Sequence, residues 1–190
     1  MNSLFRAGLE LQQFFLEKKW PFCFIGGLAV IRWGEVRMTQ DIDLSLFTEF
    51  GNEETYINSL LEKFNSRITD PIDFAKKNRV LLLSASNGVS VDISLAGLLF
   101  EQQMIKGATS FPFSPECSLI TCSAEDLVVL KAFADRARDW MDVEGIIMRQ
   151  GNSLDLDYII KQLTPFCELK EAPEIVDKLK NLVKHFQEEG

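Results

Sequence analysis

Two aspartates, Asp41 and Asp43, stand two residues apart in the stretch Asp41-Ile42-Asp43-Leu44-Ser45-Leu46-Phe47. Ile42, Leu44 and Leu46 alternate with them at the period of a strand, so Asp41, Asp43 and Ser45 share one face. Two like charges that close repel each other unless something neutralises them. A solvated strand face is one answer and a bound divalent cation is another. The pair alone is a weak signal. A third carboxylate, Asp92, lies in VSVDISL, where Val89, Val91, Ile93 and Leu95 face one side and Ser90, Asp92 and Ser94 the other. Asn87-Gly88, just upstream, is a tight-turn signal, so this strand is expected in the same sheet as the first. Three acidic side chains from neighbouring strands can converge on one point. That is the arrangement of a two-magnesium site, where the ions activate an attacking hydroxyl and stabilise leaving phosphate oxygens. The plainer alternative for Asp92 is an exposed residue on a half-solvated sheet.

Gly26-Gly27 lies about fifteen residues before Asp41, between an apolar run, Phe22 to Ile25, and a short apolar helix expected over Leu28 to Trp33 and closed by Gly34. Two glycines there let a phosphate approach the backbone closely, and a helix N-terminus behind them favours anions. For a lone Gly-Gly an ordinary tight turn is the better reading; the downstream D-x-D gives it weight.

Other elements must hold these residues in place. Leu4, Ala7, Leu11 and Phe14 recur at helical spacing over residues 3 to 18. A helix is expected around Tyr56, Leu60, Leu61 and Phe64, strands over Arg79 to Ser84 and Ser118 to Cys122, and a helix over Leu98 to Lys106. Pro112 and Pro115 mark a loop or edge strand. Ser123, with Asp126 three residues on, resembles a capping box and starts a helix through LVVLKAFADRARDWMDV. Further helices are expected over Leu154 to Leu163 and Glu174 to Phe186. The expectation is an α+β core over residues 1–123 and a C-terminal helical region over 124–190 packed on it.

The 190 residues carry a net charge of −8 with 46% hydrophobic and 25% charged residues, the balance of a globular protein. The acidic balance argues against a surface that grips nucleic acid throughout, though Lys76, Lys77 and Arg79 could form a local basic site. The plainer reading of that run is a solvated loop. The single histidine, His185, makes a Ser-His-Asp triad or a multi-histidine zinc site very hard to build. Any metal site must use carboxylates, which favours hard ions such as magnesium. Cys23, Cys117, Cys122 and Cys167 form no CxxC pair and read as buried thiols of a reducing cytosol. With no signal-peptide pattern and no membrane-spanning run, a cytoplasmic location is expected.

With these motifs in hand, FIGGLAVIRWGEVRMTQDIDL resembles the first signature of the nucleotidyltransferase (polymerase-beta-like) superfamily: an apolar strand, a Gly-Gly or Gly-Ser turn, then Asp-x-Asp. It is most similar to the abortive-infection AbiEii group of nucleotidyltransferase toxins. There an arginine and a threonine precede D-h-D (h apolar), matched by Arg37, Thr39, Asp41 and Asp43. A third acidic strand follows, matched by Asp92, then a helical lysine and an R-x-[KR]-D-x-x-D stretch, matched by Lys131, Arg136, Asp139 and Asp142. The resemblance runs from about Phe22 to about Ile147. It implies a nucleotidyltransferase-fold mixed sheet with flanking helices, a nucleoside triphosphate substrate and two Mg2+ ions. Gly26 and Gly27 would face the phosphates, with Arg37 and Thr39 beside them in the same signature. Asp41, Asp43 and Asp92 would hold the metals, and Asp92 would help deprotonate the acceptor hydroxyl. Lys131 would contact the triphosphate or the acceptor, and Asp139 would complete the catalytic set. Many relatives have serine in place of Gly27.

Taken without the upstream motifs, Lys131 and Asp135 read as an ordinary i,i+4 pair, and Arg136, Arg138, Asp139 and Asp142 as a solvated ionic face. The resemblance leaves three functions open. One is a toxin-type enzyme adding nucleotides to an RNA end, tRNA included, with a cognate antitoxin as partner. Another is an enzyme modifying a small molecule, as the aminoglycoside and lincosamide resistance enzymes do. The third is a nucleotide-binding module without turnover.

Overall fold

A computed structural model describes residues 2–189, with side chains as far as Phe186. The chain divides into two compact units, Met1–Leu28 with Met38–Cys122, and Ala29–Arg37 with Ser123–Gly190.

The first unit is built on strands β1 (Phe22–Phe24), β2 (Asp41–Phe47), β3 (Asn65–Ser66), β4 (Val80–Ser84), β5 (Ser90–Ala96), β6 (Thr109–Ser114) and β7 (Cys117–Thr121). They form one mixed sheet in the order β3-β4-β5-β2-β1-β7-β6. The central pair β2 and β5 is parallel, whereas β2 runs antiparallel to β1 and β5 antiparallel to β4. Alternation in β2 and β5 buries Ile42, Leu44, Leu46, Val91, Ile93 and Leu95, the inward set that period-two patterning requires. Helix α1 (Ser3–Lys18) is capped at its start by the Asn2 side chain, which accepts from the Leu4 N–H. Its stripe of Leu4, Ala7, Leu11 and Phe15 joins the same core as Phe22, Phe24 and Leu119. Phe14 lies edge-on to both Trp20 and Phe64, the preferred geometry of aromatic pairs. Helices α3 (Glu53–Lys63), α4 (Pro71–Asn78) and α5 (Leu99–Gly107) complete this unit.

In the second unit, α6 (Ala124–Ala134), α7 (Ala137–Gln150), α8 (Leu156–Leu169) and α9 (Glu174–Glu189) follow one another. The segment 29–37 belongs with them. Arg149 donates to the Gly34 carbonyl at 2.7 Å and Gln150 to that of Trp33 at 2.6 Å. A Cβ on Gly145 would stand 3.1 Å from Glu35 Cγ, so this helix face is kept bare for the chain to lie against.

The α+β class and the mixed sheet match expectation, and three local readings are corrected. Gly26 and Gly27 open helix α2 (Gly26–Trp33) and do not precede it. The segment expected as one helix from Ser123 to Val143 is two, broken at Asp135, which takes a left-handed conformation (φ 54°) and caps α6. Lys76 and Lys77 lie on α4, not in a loop. Lys76 pairs with Glu54 and Arg79 with Glu53, so these two cations already have carboxylate partners. All four cysteines are buried thiols.

Candidate active site

The register of β2 and β5 sets the carboxylates. Asp43 lies directly opposite Asp92, and Asp41, opposite Ser90, is one side-chain step along the same face. Neighbouring strands lie about 4.8 Å apart. Backbone pairing alone puts the three acids on one face of the two central strands.

The glycine turn closes over them. The Ile25 N–H donates to the Asp43 carbonyl at 3.0 Å. Gly26 has φ +54°, and a Cβ there would fall 1.9 Å from Asp43 Oδ2. A Cβ on Gly27 would fall 2.4 Å from Thr39 Oγ1. Thr39 in turn donates its hydroxyl to Asp41 Oδ1 at 2.9 Å. Both glycines are thus required by the side chains pressed against this turn, whatever ligand the turn receives.

Asp92 carries a partner that the sequence did not announce. Its Oδ1 accepts from the Arg67 guanidinium, which also reaches the Val91 carbonyl at 3.5 Å. The backbone N–H of Arg67 is fixed on the Leu82 carbonyl at 3.0 Å. Nothing local in Ser66-Arg67-Ile68 signals this; only the pairing of β3 with β4 brings Arg67 to β5. Burial pushes the Asp92 carboxyl up from its ordinary range; Arg67 pulls it down and Asp41 pushes it further up, and the net direction is up. A cavity of about 430 Å³ opens here, lined by Gln40, Asp41, Arg67, Asn87 and Ser90 among others.

In donor chemistry, three carboxylates suit a hard divalent cation, and the register places their backbones to fit one. The side chains are not closed on one point, however. Among the described residues, no three His, Cys, Asp or Glu groups are gathered tightly enough to hold a metal ion. Asp92 is turned to Arg67, and Asp41 is held by Thr39.

The remaining candidates form a second constellation, within the helical unit. Lys131 on α6 reaches Asp139 Oδ1 at 2.8 Å and Asp142 Oδ2 at 2.9 Å. These aspartates are three apart on α7 and so share a face. Arg37 grips Asp142 with two bonds, Nε to Oδ1 at 2.7 Å and Nη2 to Oδ2 at 2.9 Å, and Arg136 donates to both oxygens of Asp139. The side chains of Lys131, Asp139 and Asp142 are only 11%, 2% and 3% exposed. Burial alone would raise both carboxyl pKa values, but hydrogen bonds from Arg136 and Lys131 to Asp139, and from Arg37 and Lys131 to Asp142, carry both below the ordinary range. The i,i+4 pairing of Lys131 with Asp135 does not form as an ion pair: Asp135 accepts from the Trp140 indole and pairs with Lys178.

Solved structures share this fold. The antibiotic-resistance factor ANT(2'')-Ia is 18% identical, with a TM-score of 0.55 over 90% of this chain and 94% of that one. The lincosamide antibiotic adenylyltransferase LnuA, in its lincomycin-bound structure, is 13% identical, with a TM-score of 0.51 over 74% of this chain and 94% of that one. An antigenic nucleotidyltransferase-like protein from Paracoccidioides brasiliensis is 16% identical, with a TM-score of 0.50 over 93% and 91%. The fold is that of a nucleotidyltransferase. Residues 11–175 match the family described as nucleotidyl transferase AbiEii toxin, Type IV TA system, and the chain belongs to that family. It is accordingly a nucleotidyltransferase of a toxin family. A comparison with curated proteins gave no match. No helix among the described residues is long and apolar enough to cross a membrane.

Proposed function

We propose that the chain is a magnesium-dependent nucleotidyltransferase that joins the nucleoside monophosphate of a nucleoside triphosphate to a hydroxyl at an RNA end, tRNA included. A cognate antitoxin is its proposed partner. The observation that supports this most is the β2–β5 register, with Asp43 opposite Asp92 and Asp41 on the same face. In the reaction the acceptor oxygen bonds to the α-phosphorus, and the bond from that phosphorus to the diphosphate breaks. Asp41, Asp43 and Asp92 would hold the divalent cations, which supply charge neutralisation at the phosphates and a more acidic hydroxyl. Asp92 takes the hydroxyl proton. Gly26 and Gly27 offer the backbone N–H groups that open α2 to the phosphates. Thr39 fixes Asp41. Within the helical unit, Lys131 is held by Asp139 and Asp142, and Arg37 by Asp142.

A small-molecule acceptor is the second reading, favoured by the net charge of −8, which suits a cationic acceptor better than a polyanion. One assay separates the two. Wild type and an Asp41→Ala/Asp43→Ala variant are incubated with Mg2+, each α-labelled nucleoside triphosphate and a cell extract. Wild-type-dependent label in the RNA fraction supports the first reading, and label in the small-molecule fraction the second. No label in any fraction, with the protein folded and nucleotide bound, rejects both in favour of a binding module.

A further inference from the structure

Arg67, just beyond β3, reaches across β4 to β5. Its guanidinium neutralises Asp92, the third carboxylate of the proposed metal set. It does so from a backbone anchored on Leu82, so the side chain can move without disturbing the sheet. The two side chains are 30% and 37% exposed, and the 430 Å³ cavity beside Arg67 gives the guanidinium room to swing into water. Arg67 takes Asp92 Oδ1, so a divalent cation that uses this oxygen must displace the guanidinium.

We propose that Arg67 is a positioning residue that competes with the divalent cation for Asp92, so that the ion pair must open before the third ligand joins Asp41 and Asp43. This rests on the magnesium-dependent reading above. In its cation-free state the ion pair holds Asp92 away from two like charges; in the loaded state Arg67 is released toward the cavity. A partly exposed pair of this kind is favoured over its open form by a factor of about two to five. Only the open fraction, about a third to a sixth of the molecules, binds, so apparent cation affinity is weakened about three- to six-fold.

The test is calorimetric titration of Mn2+ into nucleotide-free protein, for wild type, Arg67→Met, Arg67→Lys, Asp92→Asn and Arg67→Met/Asp92→Asn, each checked for folding by circular dichroism. Arg67→Met should tighten Mn2+ binding about three- to six-fold, and Arg67→Lys, which keeps a cation, should fall between it and wild type. In the Asp92→Asn background the Arg67→Met change should have no effect, because the competition acts through that carboxylate. Equal or weaker binding in Arg67→Met overturns the proposal, as does an enhancement that persists without the Asp92 carboxylate. Absence of Mn2+ binding in every variant rejects the magnesium-dependent reading and this inference with it, a pattern distinct from equal binding in all.

Discussion

Asp139 and Asp142 lie almost wholly out of water, and each is met by two cationic side chains. Asp41 and Asp92 stay partly hydrated, and the ion pair on Asp92 joins two side chains that both reach water. The contrast is one of desolvation. A carboxylate stripped of water must be compensated from within the chain, so the α7 cluster is complete as folded. A carboxylate that keeps its water can exchange it for a ligand. The first arrangement holds residues in place; the second is able to receive something.

That difference can be broken by mutation. Asp43→Ala should lower nucleotidyl transfer by at least about 10²-fold, the scale on which a transition-state electrostatic contact acts, while its thermal melt stays close to wild type. A fall in melting temperature as large as that of a buried-cluster variant would erase the distinction. Lys131→Met should behave in the opposite sense first: it leaves two buried carboxylates short of a cation, and loss of one partner of a buried pair costs about 3–5 kcal/mol. Urea unfolding should show it, with Arg37→Met smaller because that side chain is 26% exposed. A Lys131→Met protein as stable as wild type would mean that the cluster is not structural.

Smaller still is the effect of Gly27→Ser. Its Cβ would meet Thr39 Oγ1 and Cβ at 2.4 and 2.7 Å, and overpacking of this kind costs about 1–3 kcal/mol. Transfer should fall with stability, because Thr39 is what orients Asp41. If Gly27→Ser were neutral, the serine of relatives would fit this turn unaided.

The finest test is titration of the aspartate carboxyls by NMR. Asp92 should gain its proton above the ordinary carboxylate range, and Asp139 and Asp142 below it. For Asp139 and Asp142 the folded pKa lies under the unfolded value near 3.8. Their contribution to stability is therefore whole above that value and is lost as pH falls through the lowered ones. For Asp92 the sign reverses: its ionised form opposes folding at neutral pH, and this cost disappears as pH falls through its raised value. Titration of all three at one pH would erase the contrast between the hydrated and the buried carboxylates.

The strands that carry the three aspartates were legible because each obeys a two-residue period with a single apolar face, and burial of that face permits only one register of sides. Helix α1 was legible from its stripe for the same reason. The break between α6 and α7 was not, because Asp135 ends the helix without glycine or proline; its left-handed backbone is held by contacts from Trp140 and Lys178, five and forty-three residues away. Arg67 was invisible because it reaches Asp92 through strand pairing, over 25 residues of sequence. Lys131 drew attention from the motif, yet its local partner proved wrong: the break at Asp135 redirects it to the next helix.

The sequence by itself determined which residue types could act, and on which face of a strand, because side-chain alternation and charge are properties of neighbouring residues. Its family signature likewise depends on order and spacing alone. Only the tertiary structure decided which charges meet. It set Asp43 opposite Asp92, turned Asp92 to Arg67, and buried Lys131 between Asp139 and Asp142, since Coulomb attraction and desolvation depend on distance and burial in space, which sequence separation does not encode.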